Sequence, residues 1–327
     1  MMRIAVAGMA HPHAAYVLDE LAHGPYELVG TSDPDPANRE RWTPQGVPSY
    51  ADHRELLAAH APDVVAAFGV YGARAAIVID ALDAGAHVVA DKPLCTDQAD
   101  LDAIERAAAR ADRHVSVVFE KRWHPVTLAA RRLVGEGVLG DLALVAATGP
   151  HKLLAPTRPP WFFSADGYGD LLGDLPVHDI DLVLELTGAR SGTVSGIAGR
   201  RPLPDHPGWT DSGALVLAAG DVAATIEAHW LWPEASDVHG HYRMRLTGTR
   251  GVAELDWARS RLTVLTHERE PWDEPLGPGL RPAEQALSAL AEGRAPEVTT
   301  QASVLATRVA LLAARSARDG GRAERWG

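Results

Sequence analysis

Residues 3–13 read RIAVAGMAHPH, and the reading of this stretch decides the fold. An apolar run, RIAVA (3–7), stops at Gly8, and the next residues lead into AAYVLDELA (14–22), whose apolar side chains recur at helical spacing. That pattern predicts a strand covered on both faces, a tight turn and a helix. Pro12 suits the first helical position with His11 as its cap, so amides of the following residues are expected to face outward. A glycine turn between strand and helix is where a dinucleotide pyrophosphate is held, because the backbone can approach closely and the helix start favours an anion. Of the GxGxxG pattern only Gly8 is present; Ala10 and His13 fill the other positions. On its own the stretch reads equally well as a plain strand-to-helix turn.

Outward from this point the pattern repeats. Strands are expected at 27–32, 63–68, 87–90 and 114–119, with helices at 53–60, 73–85 and from Thr96 to Ala111, the last capped by Thr96 or Asp97. Strand alternating with helix argues for a doubly wound parallel sheet over residues 1–120. Asp33 ends the second strand, where a carboxylate accepts hydrogen bonds from an adenosine ribose diol and repels a 2′-phosphate. NAD is therefore expected; Arg39, six residues on, keeps NADP open. Asp33 also fits a simple turn role in SDPDP.

From residue 121 onward the period changes to two. Stretches 221–230, 242–248, 252–257 and 261–266 alternate polar with apolar residues, as in an antiparallel sheet with one solvated face, and Gly248-Thr249-Arg250-Gly251 is a hairpin loop. Helical patterns return at 282–293 and 303–317, while the proline-rich stretches 155–160 and 202–207, and the segment 269–279, read as loops and a connection. The expected architecture is α/β with two domains, 1–120 and 121–327, the last helix packing back on the first domain. A net charge of −12 and the lack of a basic stripe exclude nucleic acid as a partner. No membrane span or leader is seen, and a single cysteine, Cys95, fits a reducing cytoplasm, with a packing role for its thiol.

Two places carry chemistry. The run AHVVADKPLC (86–95) sets Lys92 at the mouth of a strand, in a chain with only three lysines, Lys92, Lys121 and Lys152. In GDLPVHDID (173–181), Asp174, His178 and Asp181 are spaced i, i+4, i+7, so a helix projects all three from one face, opposite Val177, Ile180 and Leu184. Pro176 makes the helix start uncertain. An imidazole oriented by a carboxylate accepts a proton near neutral pH, and an ammonium stabilises alkoxide character. A capping aspartate and a satisfied core histidine account for the same residues. The pairs His11-x-His13 and His239-x-His241 have no acidic or cysteine partner in a recognised ligand spacing, so no metal is expected.

ADKPL, FEKRWHP (119–125), GYGDLLGDLPVHDID (167–181), the TGTRG turn and SARDGGR together resemble the Gfo/Idh/MocA oxidoreductases, relatives of glucose-fructose oxidoreductase and inositol 2-dehydrogenase, over essentially the whole chain. The resemblance implies a Rossmann domain that binds NAD(P), followed by an α/β substrate and oligomerisation domain with a large open, mainly antiparallel sheet. It implies hydride exchange with a secondary alcohol of a sugar, cyclitol or related polyol, with Lys92, Asp174 and His178 catalytic. Gly8, Met9, Ala10, His11, His13, Asp33, Asp91 and Lys92 then line the cofactor, and Arg122, Trp161, Asp174 and His178 the substrate. A cis Lys92-Pro93 bond and a homodimer or homotetramer also follow. Ala10 and His13 for glycines, Asp91 for glutamate, Arg74 for histidine and Pro176 for glycine depart from the family pattern. They leave a non-catalytic nucleotide- or sugar-binding sensor as the alternative.

Overall fold

The computed structural model describes residues 1–199, 203 and 205–327; within the proline-rich stretch 202–207, positions 202 and 204 lie outside the described residues. The chain divides into two units. One holds Met1–Glu120, Asp166–Gly169 and Arg281–Thr307, the other Lys121–Ala165, Asp170–Leu280 and Arg308–Gly327.

The apolar runs of the first unit form six strands: β1 (Met2–Ala7), β2 (Tyr26–Ser32), β3 (Ser49–Tyr50), β4 (Val64–Ala67), β5 (His87–Ala90) and β6 (Val115–Val117). Helices α1 (Ala14–Glu20), α2 (Pro36–Trp42), α3 (His53–His60), α4 (Arg74–Asp83) and α5 (Gln98–Ala111) follow them. The strand order is β3-β2-β1-β4-β5-β6, all parallel, as in a Rossmann fold. Aspartates start three helices: Asp35, Asp52 and Asp97 each accept a first-turn amide. The DPDP run is thus a helix start, with Pro36 in the first turn, and neither α2 nor β3 was expected. Ile4, Val6, Val64, Ala66, Phe68 and Val89 form a core with Met9, Ala14 and Val17, joined by Ala283, Ala286 and Leu287 at α10 (Glu284–Ala291).

The second unit is built on β7 (Leu142–Pro150), β8 (Gly192–Gly199), β9 (Ser212–Ala219), β10 (Val222–His229), β11 (Arg243–Gly248), β12 (Gly251–Asp256), β13 (Arg261–Thr266), β14 (Trp272–Asp273) and β15 (Glu324–Trp326). Their order is β14-β13-β12-β11-β7-β10-β9-β8-β15, antiparallel except for the parallel pair β7–β10. Thr249 and Arg250 close the β11–β12 hairpin, and Met244 and Leu246 are buried while Arg243 and Arg245 are exposed. One face is covered: α6 (Pro125–Gly135) packs on β12 and β13, and α9 (Val177–Thr187) on β7, β9 and β10. Two short helices, α7 (Ala165–Tyr168) and α8 (Leu171–Asp174), precede α9, and α11 (Thr300–Arg318) contributes residues to both units.

Within the first unit, α11 is pinned to the edge strand β6 by two hydroxyls, Thr300 Oγ1 accepting from the Val115 amide at 2.9 Å and Ser303, which is wholly buried. Ser303 Oγ accepts from the Val117 amide at 3.0 Å and donates to the Val115 carbonyl at 3.2 Å. Alanine at position 303 strands a buried amide and a carbonyl, which costs about 1–3 kcal/mol. Equilibrium denaturation of Ser303→Ala should show that loss; unchanged stability would contradict the pinning role.

Candidate active site

At the carboxyl ends of β1 and β4, where the strand order reverses, the two following turns nearly touch. Gly8 has φ +75°, and a Cβ there would lie 2.5 Å from Gly69 Cα. Only glycine fits such an approach, which is the kind of cradle that admits a dinucleotide to the backbone. Asp33, buried at the end of β2, is fixed on both oxygens. Oδ2 accepts from the Met9 amide at 2.5 Å, and Oδ1 accepts from the Asp35 amide at 2.9 Å and Asn38 Nδ2 at 3.1 Å. The adenosine end therefore suits NAD. Arg39 donates to the carbonyls of Asp33 and Pro34.

The turn after Gly8 differs from its expected form. Helix α1 begins at Ala14 with His13, in helical conformation, at its N-cap; Pro12 stands before the helix. The amides there close onto the turn itself: His11 N donates to the Phe68 carbonyl, Ala14 N to His11 and Ala15 N to Pro12. Few of the outward-facing amides anticipated from Pro12 are left to an anion.

The two histidines turn toward Asp91 instead. His13 Nδ1 is 2.8 Å from Asp91 Oδ1, which also accepts the Lys92 amide at 2.9 Å, and His11 Nδ1 is 3.0 Å from Oδ2. Arg74, fully buried, donates to the carbonyls of Gly69 (2.8 Å), Asp91 (3.2 Å) and Pro93, so the whole turn around the cis Lys92-Pro93 bond hangs on one guanidinium. Burial works against charge on Asp91, but the imidazoles of His13 and His11 outweigh it and hold the carboxyl well below its usual range. Burial pushes His11 down to about 4. For His13 burial is outweighed by Asp91, leaving it raised. Burial also raises Glu120, beside His13 and Lys92. Lys92 itself is 5% exposed. Sequence reasoning missed the parts played by Arg74, Glu120 and the His–Asp–His cluster, because their partners stand far apart in the chain.

In the second unit the motif GDLPVHDID is not one continuous amphipathic helix. Asp174 ends α8, Pro176 takes the N-cap, and His178 stands in the first turn of α9. Residues Val177–Leu184 are buried on every side, so the expected polar face is an interior one. Its acids are matched to cations: Asp179 to Lys121 at 2.8 Å and Asp181 to Arg122 through two hydrogen bonds of 2.6 and 2.7 Å. Asp181 thus belongs to a structural pair rather than with Asp174 and His178, and Arg122, expected at the substrate, holds that pair. Lys121 also lies over the rings of Tyr242 and Trp257. Trp161 stands half-buried at the edge of an aromatic cluster in which Phe162 contacts Trp209 and Trp230, with Arg158 over Phe162.

Two family models match the chain in succession: an oxidoreductase family with an NAD-binding Rossmann fold over residues 2–119, and a GFO/IDH/MocA C-terminal domain over residues 127–254. Inositol 2-dehydrogenase of Gluconacetobacter diazotrophicus is 30% identical over 182 residues, 54% of this chain and 52% of that protein, so the match spans about half of its length. The fold also matches levoglucosan dehydrogenase, solved with NADH and levoglucosan (TM-score 0.84, 20% identity, 99% of each chain). An NAD binding oxidoreductase from Klebsiella pneumoniae matches similarly (TM-score 0.85, 20% identity, 100% and 99%).

Cys95, next to this turn, is buried, and burial pushes its thiol up to about 12. At pH 8 its thiolate fraction falls about a thousandfold below that of a free cysteine. A disulfide reagent should label native protein correspondingly slowly and unfolded protein at once; rapid native labelling would contradict the burial.

Proposed function

The chain belongs to the Gfo/Idh/MocA oxidoreductases, and from that premise we propose that it moves hydride between a secondary alcohol of a sugar, cyclitol or related polyol and NAD. NAD, when bound, supplies the hydride acceptor. Asp33 would hold its adenosine ribose by accepting from the diol, and Gly8 would permit its pyrophosphate to approach the backbone. Lys92 polarises the substrate oxygen, His178 takes the hydroxyl proton and Asp174 orients the imidazole. The observation that carries this reading is the immobilised Lys92: a nearly buried ammonium in a turn fixed by Asp91 and Arg74, in a chain that otherwise prefers arginine. A solvated lysine needs no such support. The carbohydrate-acting relatives favour a polyol substrate, with Trp161 beside it.

A nucleotide-binding sensor is the second reading, favoured by the altered turn at Ala10 and His13 and by its inward-closed amides. We place the protein in the cytoplasm, in keeping with its lone buried cysteine; among the described residues no helix is long and apolar enough to cross a membrane. The open face of the nine-stranded sheet exposes Leu144, Ile197 and Val216, an apolar surface suited to a second copy of the chain, so a homodimer or homotetramer is proposed.

Purified protein given NAD and a polyol panel should form NADH with at least one member, and Lys92→Ala should lower kcat about 10²–10⁴-fold while NADH binding, followed by fluorescence, persists. NADH binding without turnover on any member would favour the sensor; loss of both would contradict the proposal. Ile197→Arg combined with Val216→Arg should shift the mass measured by light scattering toward the monomer, whereas an unchanged mass would remove the sheet face as the interface.

A further inference from the structure

We propose that His11, His13 and Asp91 form a binding site for a divalent transition-metal ion of the zinc type. Among the described residues they are the one group of three metal-ligating side chains whose donor atoms converge, all within 4.8 Å of one another. Sequence spacing hid the site, since Asp91 lies 78 residues beyond His13.

The geometry of the contacts points to a shared ion. Ligands bound at about 2.1 Å to one metal stand about 3.0 Å apart in an octahedron and about 3.4 Å apart in a tetrahedron. The two nitrogen-to-oxygen separations, 2.8 Å from His13 to Oδ1 and 3.0 Å from His11 to Oδ2, are close to the octahedral edge for a carboxylate that binds through both oxygens, with the His13–Asp91 hydrogen bond giving way to the ion. The His11 contact is not aligned as a hydrogen bond, and Asp91 Oδ2, wholly buried, has no hydrogen-bond partner among the described residues. A buried carboxylate oxygen without a donor is costly unless something else takes its lone pair. The His13 amide points at His11 Nδ1 from 3.4 Å, a contact in which a neutral His11 ring accepts.

The surroundings hold the donors in place. The Lys92 amide fixes Asp91 Oδ1, and the His13 ring stacks on Tyr16 with centroids 4.5 Å apart. Outer contacts of this kind orient metal ligands. Arg74 Nη2 is 3.7 Å from Oδ2, beyond hydrogen-bond reach, and leaves that lone pair to the ion. Two imidazoles and one carboxylate favour zinc, cobalt, nickel or ferrous iron over magnesium or calcium, which take oxygen ligands. The histidine side chains are 14% and 20% exposed while Asp91 is sealed, so the remaining coordination positions open on the imidazole side, to water or another oxygen ligand.

The test needs no redox activity and therefore stands apart from the dehydrogenase reading. Protein stripped with a chelator is titrated with Co²⁺ alone, followed by calorimetry and visible absorption, and the same is done with His11→Ala, His13→Ala, Asp91→Asn and the control His239→Ala. The expected result is one Co²⁺ per chain, a visible band from nitrogen ligation, and at least a 100-fold weaker Kd in each of the three site variants, with His239→Ala unchanged. Circular dichroism confirms folding; if Asp91→Asn does not fold, the two histidine variants decide. Absence of Co²⁺ binding at millimolar metal, or affinity unaffected by His11→Ala and His13→Ala, overturns the proposal.

Discussion

A carboxylate sealed from water at the end of β5 organises the first unit's functional end. Asp91 must be charged to satisfy its neighbours and must have neighbours to remain charged, because an isolated buried carboxylate is prohibitively costly. Through Oδ1 it meets this constraint with the Lys92 amide and the ring nitrogen of His13, while Oδ2 lies near His11 Nδ1 and, farther off, the Arg74 guanidinium, without a hydrogen bond to either. One side chain therefore sets both the turn that follows β1 and the turn that carries Lys92. The glutamate usual in the family has a longer stem; the shorter aspartate is accompanied here by two imidazoles that reach toward it.

This arrangement gives the departures from the glycine pattern a physical meaning. A side chain at position 13 would be expected to crowd a phosphate loop, yet His13, at the N-cap position of α1, turns its ring to Asp91 and makes no capping bond with it. The close approach that does require glycine persists at Gly8, against Gly69. The adenosine end keeps its NAD-type features through Asp33, while the stretch between is closed by its own hydrogen bonds.

The parallel sheet was legible because its strands are unbroken apolar runs and aspartate caps mark several helices, as at Asp97 before α5. The β11–β13 meander was equally plain from the alternation of Met244 and Leu246 with Arg243 and Arg245. Strands β7, β8 and β9 were not: LALVAATGP, GTVSGIAG and SGALVLAA are rich in alanine and glycine, which have little strand preference and blur the period of two. At the candidate site, Lys92 stood out by rarity and Asp174 with His178 by spacing. Arg74, the Lys121–Asp179 pair and the approach of Asp91 to the histidines depend on contacts across the fold that no local pattern encodes. The helix expected from i, i+4, i+7 spacing was divided by Pro176, and burial on all sides replaced the amphipathic face.

The most direct measurement is of the nitrogen chemical shifts of the His11 and His13 imidazoles in metal-free protein, comparing the wild type with Asp91→Asn. If the buried carboxylate governs this turn, both rings in the wild type sit away from the values of a freely tautomerising histidine and move toward them in the variant. Shifts already at the free-imidazole position in the wild type, or unmoved by the substitution, would contradict the account.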